Sequence, residues 1–326
     1  MKLQTNQLKQ FKAAASAIKQ NNILPVLSYL KFDNGTITKN NLESFIIMDA
    51  DVEGSMLIDE KVLMNFVDFT SSQEINCTVI DNQVLITDGK AKVKSPTELV
   101  EHFPVSNETD NEPVNMAAEV LYAIKTASAF TTEDFTMPVK EFVHVGINTV
   151  AATNNFIFYG TNVGAVPEIT IGKDAAATIT KFESVLFSEN DTYQFYEAGI
   201  FKYGFVKKDV KFLDMSQWLK LPEGGRVPVV KSEIIKFCDI CISNTPGRIV
   251  TAKSDGTMLS MVDAAYNINI EIPISSTLDT FGFNPHYMAK MLRSLPDESL
   301  QFLRATNKYF ITGESGFVAL IMETLL

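Results

Sequence analysis

Apolar and polar residues alternate along this chain in two rhythms that trade places three times. Leu8, Phe11, Ala15 and Ile18 recur every three to four residues, the period of one helix face, and predict an opening helix over about 5–20. Period-two runs follow at LSYLKF, GTITKNN and SFIIMDADV and predict short, half-buried strands. Helical spacing returns in IDEKVLMNFVDF, with Asp59 placed to cap the first turn. EINCTVI, a DN turn, QVLITDG and KAKVKS then close the unit as strand, turn and strand.

The same order recurs at a spacing of about 100 residues. The second unit opens with the helical NMAAEVLYAIKTASAF and continues through EFVHVGIN, TVAAT, an NN turn and FIFYGTN. Its second helix is predicted at TKFESVLFSE, before TYQFYE and IFKYGFV. The third unit opens with VVKSEIIKFCDICIS and runs through RIVTAKS, a DG turn, TMLSMVD and NINIEIPIS. Its second helix is NPHYMAKMLRSL, followed by ESLQFLRAT, an NK turn, YFITGES and FVALIMETLL. The closing hairpins DNQVLITDG and TNKYFITGE carry the repeat most plainly. Segments 105–114 and 221–228, rich in Pro, Gly and acidic residues, read as linkers. The expected fold is α+β: three repeated domains over 1–105, 115–220 and 225–326, each with antiparallel sheets and two helices on one side.

Composition narrows the function. No apolar run approaches the roughly 20 residues of a membrane span, and the first 20 residues lack an apolar signal core. A cytoplasmic protein with no membrane partner is expected. Three cysteines give no disulfide framework, and Cys238 and Cys241 read as buried positions on one helix face. His102, His144 and His286 are scattered, so neither a metal nor a cofactor is expected. No phosphate-binding loop, zinc-protease motif or nucleophile elbow occurs, and no nucleophile stands out beside a base, so an enzyme is not expected. The net charge of −11 argues against a uniformly basic nucleic-acid binder but leaves room for a locally basic surface.

Sheet edges at the two ends of such a chain invite pairing. Lys90, Lys92 and Lys94 alternate along one strand, while Asp297 and Glu298 precede a strand near the other end. This is a candidate charge match closing two chains head to tail. Ordinary solvated strand faces account for the same residues.

At this point the sequence resembles a family. ILPVLSYL at Ile23–Leu30 is similar to the leucine-proline segment after the first helix of the bacterial DNA polymerase III beta sliding clamps. Asn40-Asn41-Leu42-Glu43 stands where that family has threonine-aspartate-leucine-glutamate. Phe103-Pro104 and Phe283-Asn284-Pro285 fall at matching places, and Met322-Glu323-Thr324-Leu325-Leu326 replaces a terminal Met-Pro-Met-Arg-Leu strand. The likeness spans essentially the whole chain, in a divergent form suited to a chromosomal, phage or plasmid clamp.

The resemblance implies half of a six-domain ring, completed by a second copy as a head-to-tail homodimer around duplex DNA. It implies DNA-facing cations at Lys9, Lys12, Lys19, Lys125, Lys236, His286, Lys290 and Arg293. It implies a hydrophobic pocket for polymerase and clamp-loader peptides, built from His144, Thr161, Val163, Val166, Leu221, Pro222, Leu320, Met322, Thr324 and Leu326. A clamp-fold protein that binds peptides without closing a ring, and an unrelated α+β enzyme, are the alternatives.

Overall fold

The computed structural model describes residues 1–20, 23–104, 111–132, 137–211, 215, 217–245, 251–263 and 266–324. The first repeat runs β1 (Lys2–Gln4), α1 (Thr5–Ala15), β2 (Tyr29–Asp33), β3 (Thr36–Asn40), β4 (Ser44–Asp49), β5 (Ser55–Asp59), α2 (Glu60–Phe69), β6 (Glu74–Ile80), β7 (Gln83–Thr87) and β8 (Lys92–Pro96). The second runs β9 (Val114–Met116), α3 (Ala118–Ser128), β10 (Phe142–Gly146), β11 (Thr149–Thr153), β12 (Ile157–Asn162), β13 (Ile169–Gly172), α4 (Lys173–Ile179), β14 (Val185–Glu189), β15 (Tyr193–Ala198) and β16 (Phe201–Val206). The third runs β17 (Val227–Val230), α5 (Lys231–Asn244), β18 (Ala252–Asp263), β19 (Ile268–Phe283), α6 (Pro285–Ser294), β20 (Ser299–Ala305), β21 (Lys308–Thr312) and β22 (Val318–Met322).

Each repeat thus opens with a short strand before its helix, which the periodicity had not signalled. The third repeat keeps the same order with four strands merged into two long ones. At the DG step expected to turn, the β18–β19 register shifts on both sides of Gly256, whose φ is +80°. The opening helix also ends earlier than its apolar stripe. After Ala15 the backbone tightens into turns, with Ile18 N–H bonded to the Ala15 carbonyl at 3.0 Å, and Ile18 stays buried. The helix expected at TKFESVLFSE is a correction. The helix is α4, a turn earlier in Ala-rich sequence, and β14 occupies that stretch because Val185 and Phe187 are buried while Leu186 is exposed.

Helix capping follows the sequence. Asp59 accepts from Val62 N–H at 2.9 Å at the start of α2. Asn284 accepts from His286 N–H at 2.9 Å at the start of α6, with Pro285 in the first turn.

The chain divides into two compact units: Met1–Ala117 with Phe182–Lys208, and Ala118–Lys181 with Asp209–Leu326. The division cuts the second repeat because strands pair across repeat boundaries. In the first unit an eight-stranded sheet has the order β5-β2-β3-β4-β16-β15-β14-β9, beside a four-stranded sheet β1-β6-β7-β8. In the second unit an eight-stranded sheet has the order β13-β10-β11-β12-β22-β21-β20-β17, beside the two-stranded ribbon β18-β19.

The two seams have similar chemistry. β4 meets β16 antiparallel from Phe201↔Met48 to Phe205↔Ser44. Phe45, fully buried, lies across Gly204, its partner in the ladder, and packs edge-on to Tyr193 at 5.4 Å. A β-carbon at Gly204 would collide with the Phe45 ring. β12 meets β22 from Ile157↔Ile321 to Gly160↔Val318, and again a glycine sits in the seam. Glycine inside a strand weakens it unless another group needs the space, which is the case at both places.

His144 lies on β10, wholly enclosed, with Nε2 3.0 Å from the Val139 carbonyl oxygen. Burial pulls its imidazole pKa below the usual value, opposed in part by that carbonyl.

Two outcomes are expected. Gly204→Val should lower the urea midpoint of the unit containing it, a loss of about 1–3 kcal/mol from overpacking. Gly164→Ala, where a β-carbon meets open space, should not. The depressed His144 pKa means that the unfolded chain takes up this proton first. Its stabilisation is therefore present above the unfolded pKa of about 6.5 and is lost as pH falls through the folded value. Melting temperature should drop between pH 7 and pH 5, and His144→Gln should flatten that slope.

Candidate functional site

Three surfaces collect the residues singled out in the sequence. The first is the wet face of the paired helices. In the first unit α1 turns Leu8 and Phe11 inward, and Lys9 and Lys12 are exposed. Lys12 reaches Asp68 of α2 at 2.5 Å. Lys19 lies past the helix end, exposed, and its carbonyl accepts from Asn41 at 2.8 Å.

In the second unit Lys125 on α3 and Lys236 on α5 are exposed. Cys238 and Cys241 are buried on the inward face of α5. On α6, His286 is half-buried, while Lys290 and Arg293 are exposed. Arg293 pairs with Asp239 of α5. Lys290 donates to the Thr131 carbonyl at 3.2 Å. Partial desolvation, then the charge of Lys173 at the start of α4, lowers its pKa. Two cations thus raise the potential around α4 and α6, a setting that favours an anion.

The second surface is the open edge of the four-stranded sheet. β8 pairs with β7 on one side and with no strand on the other among the described residues. Lys92 and Lys94 are exposed along it, and Lys90 sits in the preceding turn. That turn is fixed by Asp88, which accepts from Lys90 N–H at 2.9 Å, Ala91 N–H at 2.7 Å and the Thr70 hydroxyl at 2.6 Å. These bonds, the Thr70 hydroxyl foremost, draw its pKa down to about 2. Beside the edge a cavity of about 350 Å³ is lined by Val62, Asn65, Phe66, Phe69, Ala91 and Val93, among others. Phe69 is 90% exposed, a large apolar side chain at the mouth of an apolar hollow.

Asp297 and Glu298 have partners within their own chain. Asp297 accepts from Ser315 N–H at 2.9 Å, and Glu298 accepts from Ser232 N–H at 2.9 Å at the start of α5.

The third surface is the β12–β22 seam. On one side of it Ala151, Phe158, Met215, Leu303, Phe310, Val318 and Leu320 form one buried cluster. Trp218, Leu219, Leu221 and Ala305 pack against it, partly exposed. Met322 continues the row of Val318 and Leu320 and is 39% exposed. Pro222 is half-buried beside Leu221 in the chain, and Thr324 donates its N–H to the Gly282 carbonyl at 2.9 Å. Thr161, Val163 and Val166 lie at and beyond the end of β12. The N–H groups of Val163 and Val166 bond the Asn148 and Ile147 carbonyls, and Val166 is buried. His144 is enclosed in β10, away from solvent. Leu326 lies outside the described residues.

Sequence reasoning missed Phe158, Met215, Trp218, Leu219, Leu303 and Phe310. The signal that could have found them was Gly160 inside the strand pattern FIFYGTN, together with the one tryptophan of the chain in a polar linker.

Among the described residues no His, Cys, Asp or Glu cluster is gathered to hold a metal, and no helix is long and apolar enough to cross a membrane. The arrangement offers basic helix faces, an open strand edge and an apolar seam, all suited to binding.

No protein-family model and no curated protein sequence matches the chain. Solved structures do. A DNA polymerase sliding clamp from Pseudomonas aeruginosa bound to griselimycin aligns over 100% of this chain and 99% of its own, with TM-score 0.85 and 16% identity. A putative DNA polymerase III beta subunit from Eubacterium rectale aligns over 100% of both chains, with TM-score 0.86 and 14% identity. The sliding clamp of Bacillus subtilis aligns over 100% of this chain and 98% of its own, with TM-score 0.85 and 15% identity. The chain therefore has the fold of the bacterial DNA polymerase III beta-subunit sliding clamps.

Proposed function

We propose that the chain is a non-enzymatic sliding clamp. Two copies close head to tail around duplex DNA and tether a polymerase and its loader through short peptides. The observation that carries this reading is the pair of half-sheets left over when the seams are counted. In each seam the last strand of a repeat's closing trio, β16 or β22, pairs with the third strand of another repeat's opening group, β4 or β12. By the same rule β8 calls for a partner, and so does the first half of β19, the counterpart of β4 in the third repeat. The outer side of β19 over residues 268–274 pairs with no strand among the described residues. A second copy would supply each edge with its match, twice over, as a closed two-fold assembly requires.

Charge and apolar surface agree with this pairing. Lys92 and Lys94 stand along β8, and Glu271 is exposed along β19. With Asp297 and Glu298 engaged in their own chain, Glu271 is the nearer electrostatic match. Exposed ion pairs contribute only about 0–1 kcal/mol each. The hollow at Phe66 and Phe69 would supply most of the association, as an apolar interface core does.

A ring holds DNA by topology, so weak, sequence-independent phosphate contacts suffice and sliding is preserved. Lys9, Lys12, Lys19, Lys125, Lys236, His286, Lys290 and Arg293 are the proposed DNA-facing cations. Of these, Lys290 has the strongest support, because Lys173 shares its neighbourhood. An acidic protein can then surround DNA, with its negative charge kept to the outside. The seam at Leu320 and Met322, the face on which Leu221 packs, is the proposed peptide site, and its apolar character suits capture of a linear motif. The Pseudomonas aeruginosa sliding clamp, which shares this fold, is bound to griselimycin.

Light scattering across a dilution series tests ring closure. A mass of twice the chain is expected, and Phe69→Glu, at an exposed position that leaves the core intact, should give a monomer. A monomer for the unsubstituted chain at every concentration would contradict autonomous closure.

A further inference from the structure

The apolar seam of the second unit already has an occupant from its own chain. Leu219 fills the space that a side chain at Gly160 would take: a β-carbon there would lie 2.5 Å from Leu219 Cδ2. Trp218 sets its ring edge-on to Phe158, centroids 5.2 Å apart at 77°. Leu221 covers the same cluster, and Met215 is buried within it. The side chains beneath are at most 8% exposed, while Trp218, Leu219 and Leu221 are only partly covered.

The attachment is made by side chains. The segment joins no sheet, and among the described residues its backbone bond is local, from Trp218 N–H to the Met215 carbonyl at 2.9 Å. Segments held by few backbone bonds open at low free-energy cost. The seam below is held by a continuous backbone ladder to which the segment contributes no strand. An aromatic residue, a leucine beside it and a second leucine two positions on form a short linear motif seated on a sheet face. A separate peptide of that chemistry would seat itself in the same way.

We propose that the segment around Trp218 is a resident, displaceable occupant of this seam, so that the chain competes with its own client peptides. The inference rests on the reading of the seam as a peptide site and adds its regulation. A tethered occupant acts at an effective concentration on the order of millimolar, so a free peptide of equal intrinsic affinity binds only near that range. Peptide affinity falls by the fraction of time that the seam is vacant. Clients must therefore carry a better aromatic–leucine match than the resident segment, or arrive tethered themselves.

Trp218 is the single tryptophan of the chain and reports directly on this segment. The probe is a synthetic peptide of residues 215–222 carrying W218F, which has no tryptophan of its own. Titrated into the full chain, it should shift Trp218 emission to the red, saturably, near millimolar concentration. Labelled with fluorescein and followed by anisotropy, it should bind a Trp218→Ser/Leu219→Ser chain at least ten-fold more tightly than the unsubstituted chain. Leu219→Gly alone provides a milder variant should the double one fail to fold. Unmoved Trp218 emission through several millimolar peptide would overturn the proposal, as would equal affinity for substituted and unsubstituted chains. A chain that dimerises but whose Trp218 does not respond sinks the resident occupant alone. A monomer whose Trp218 is displaced sinks ring closure alone.

Discussion

Backbone hydrogen bonds between β4 and β16, and again between β12 and β22, fix nearly everything else about this chain. A sheet edge left open exposes unsatisfied donors and acceptors, and pairing with a strand from another repeat satisfies them. Once strands pair in that way, a compact unit no longer coincides with a repeat. The second repeat is shared out, its helices and opening strands in one unit and its closing strands in the other. The seams also explain two residues that look out of place in their strands. Gly204 makes room for Phe45, and Gly160 makes room for Leu219.

Counting edges under the same constraint leads to function. Three repeats hold three closing trios and three opening groups, but among the described residues one chain makes two seams. β8 and β19 are what remains. The apolar hollow at Phe69 borders one of these edges, so the surface most in need of cover lies where a strand partner is missing. In the proposed assembly a second copy would meet both needs with one contact. A protein of net charge −11 could then enclose DNA, because its basic helix faces need not be outweighed where the DNA would lie.

The sequence made the repeat legible because each element carried its own period. Asp59 marked the start of α2, and positive φ at Asn82, Asn155 and Asn307 bears out the turns read from DN, NN and NK. Three features escaped. The opening strands β1, β9 and β17 are only three or four residues long, too short for alternation to register. The DG step read as a local hairpin, whereas β18 is registered with β19 on both sides of it, with shifts at Gly256. The helix assigned to TKFESVLFSE lost to its tertiary partners, since β14 gains a ladder on both sides, with β9 and β15. The candidate site was less legible than the fold. Lys92 and Lys94 could be placed on one strand face from spacing alone. The seam cluster joins residues 151, 158, 303, 310, 318 and 320 with a linker tryptophan, and no local pattern connects them.

Retention on circular duplex DNA tests the central claim most directly. The chain, loaded onto a nicked circle in the presence of a clamp loader, should co-migrate with the circle through a sizing column at moderate salt. It should leave when the circle is cut once. Topological retention requires both outcomes. Equal retention on circular and linear DNA would mean ordinary surface binding and would contradict the account. Loss from both at low salt would do the same.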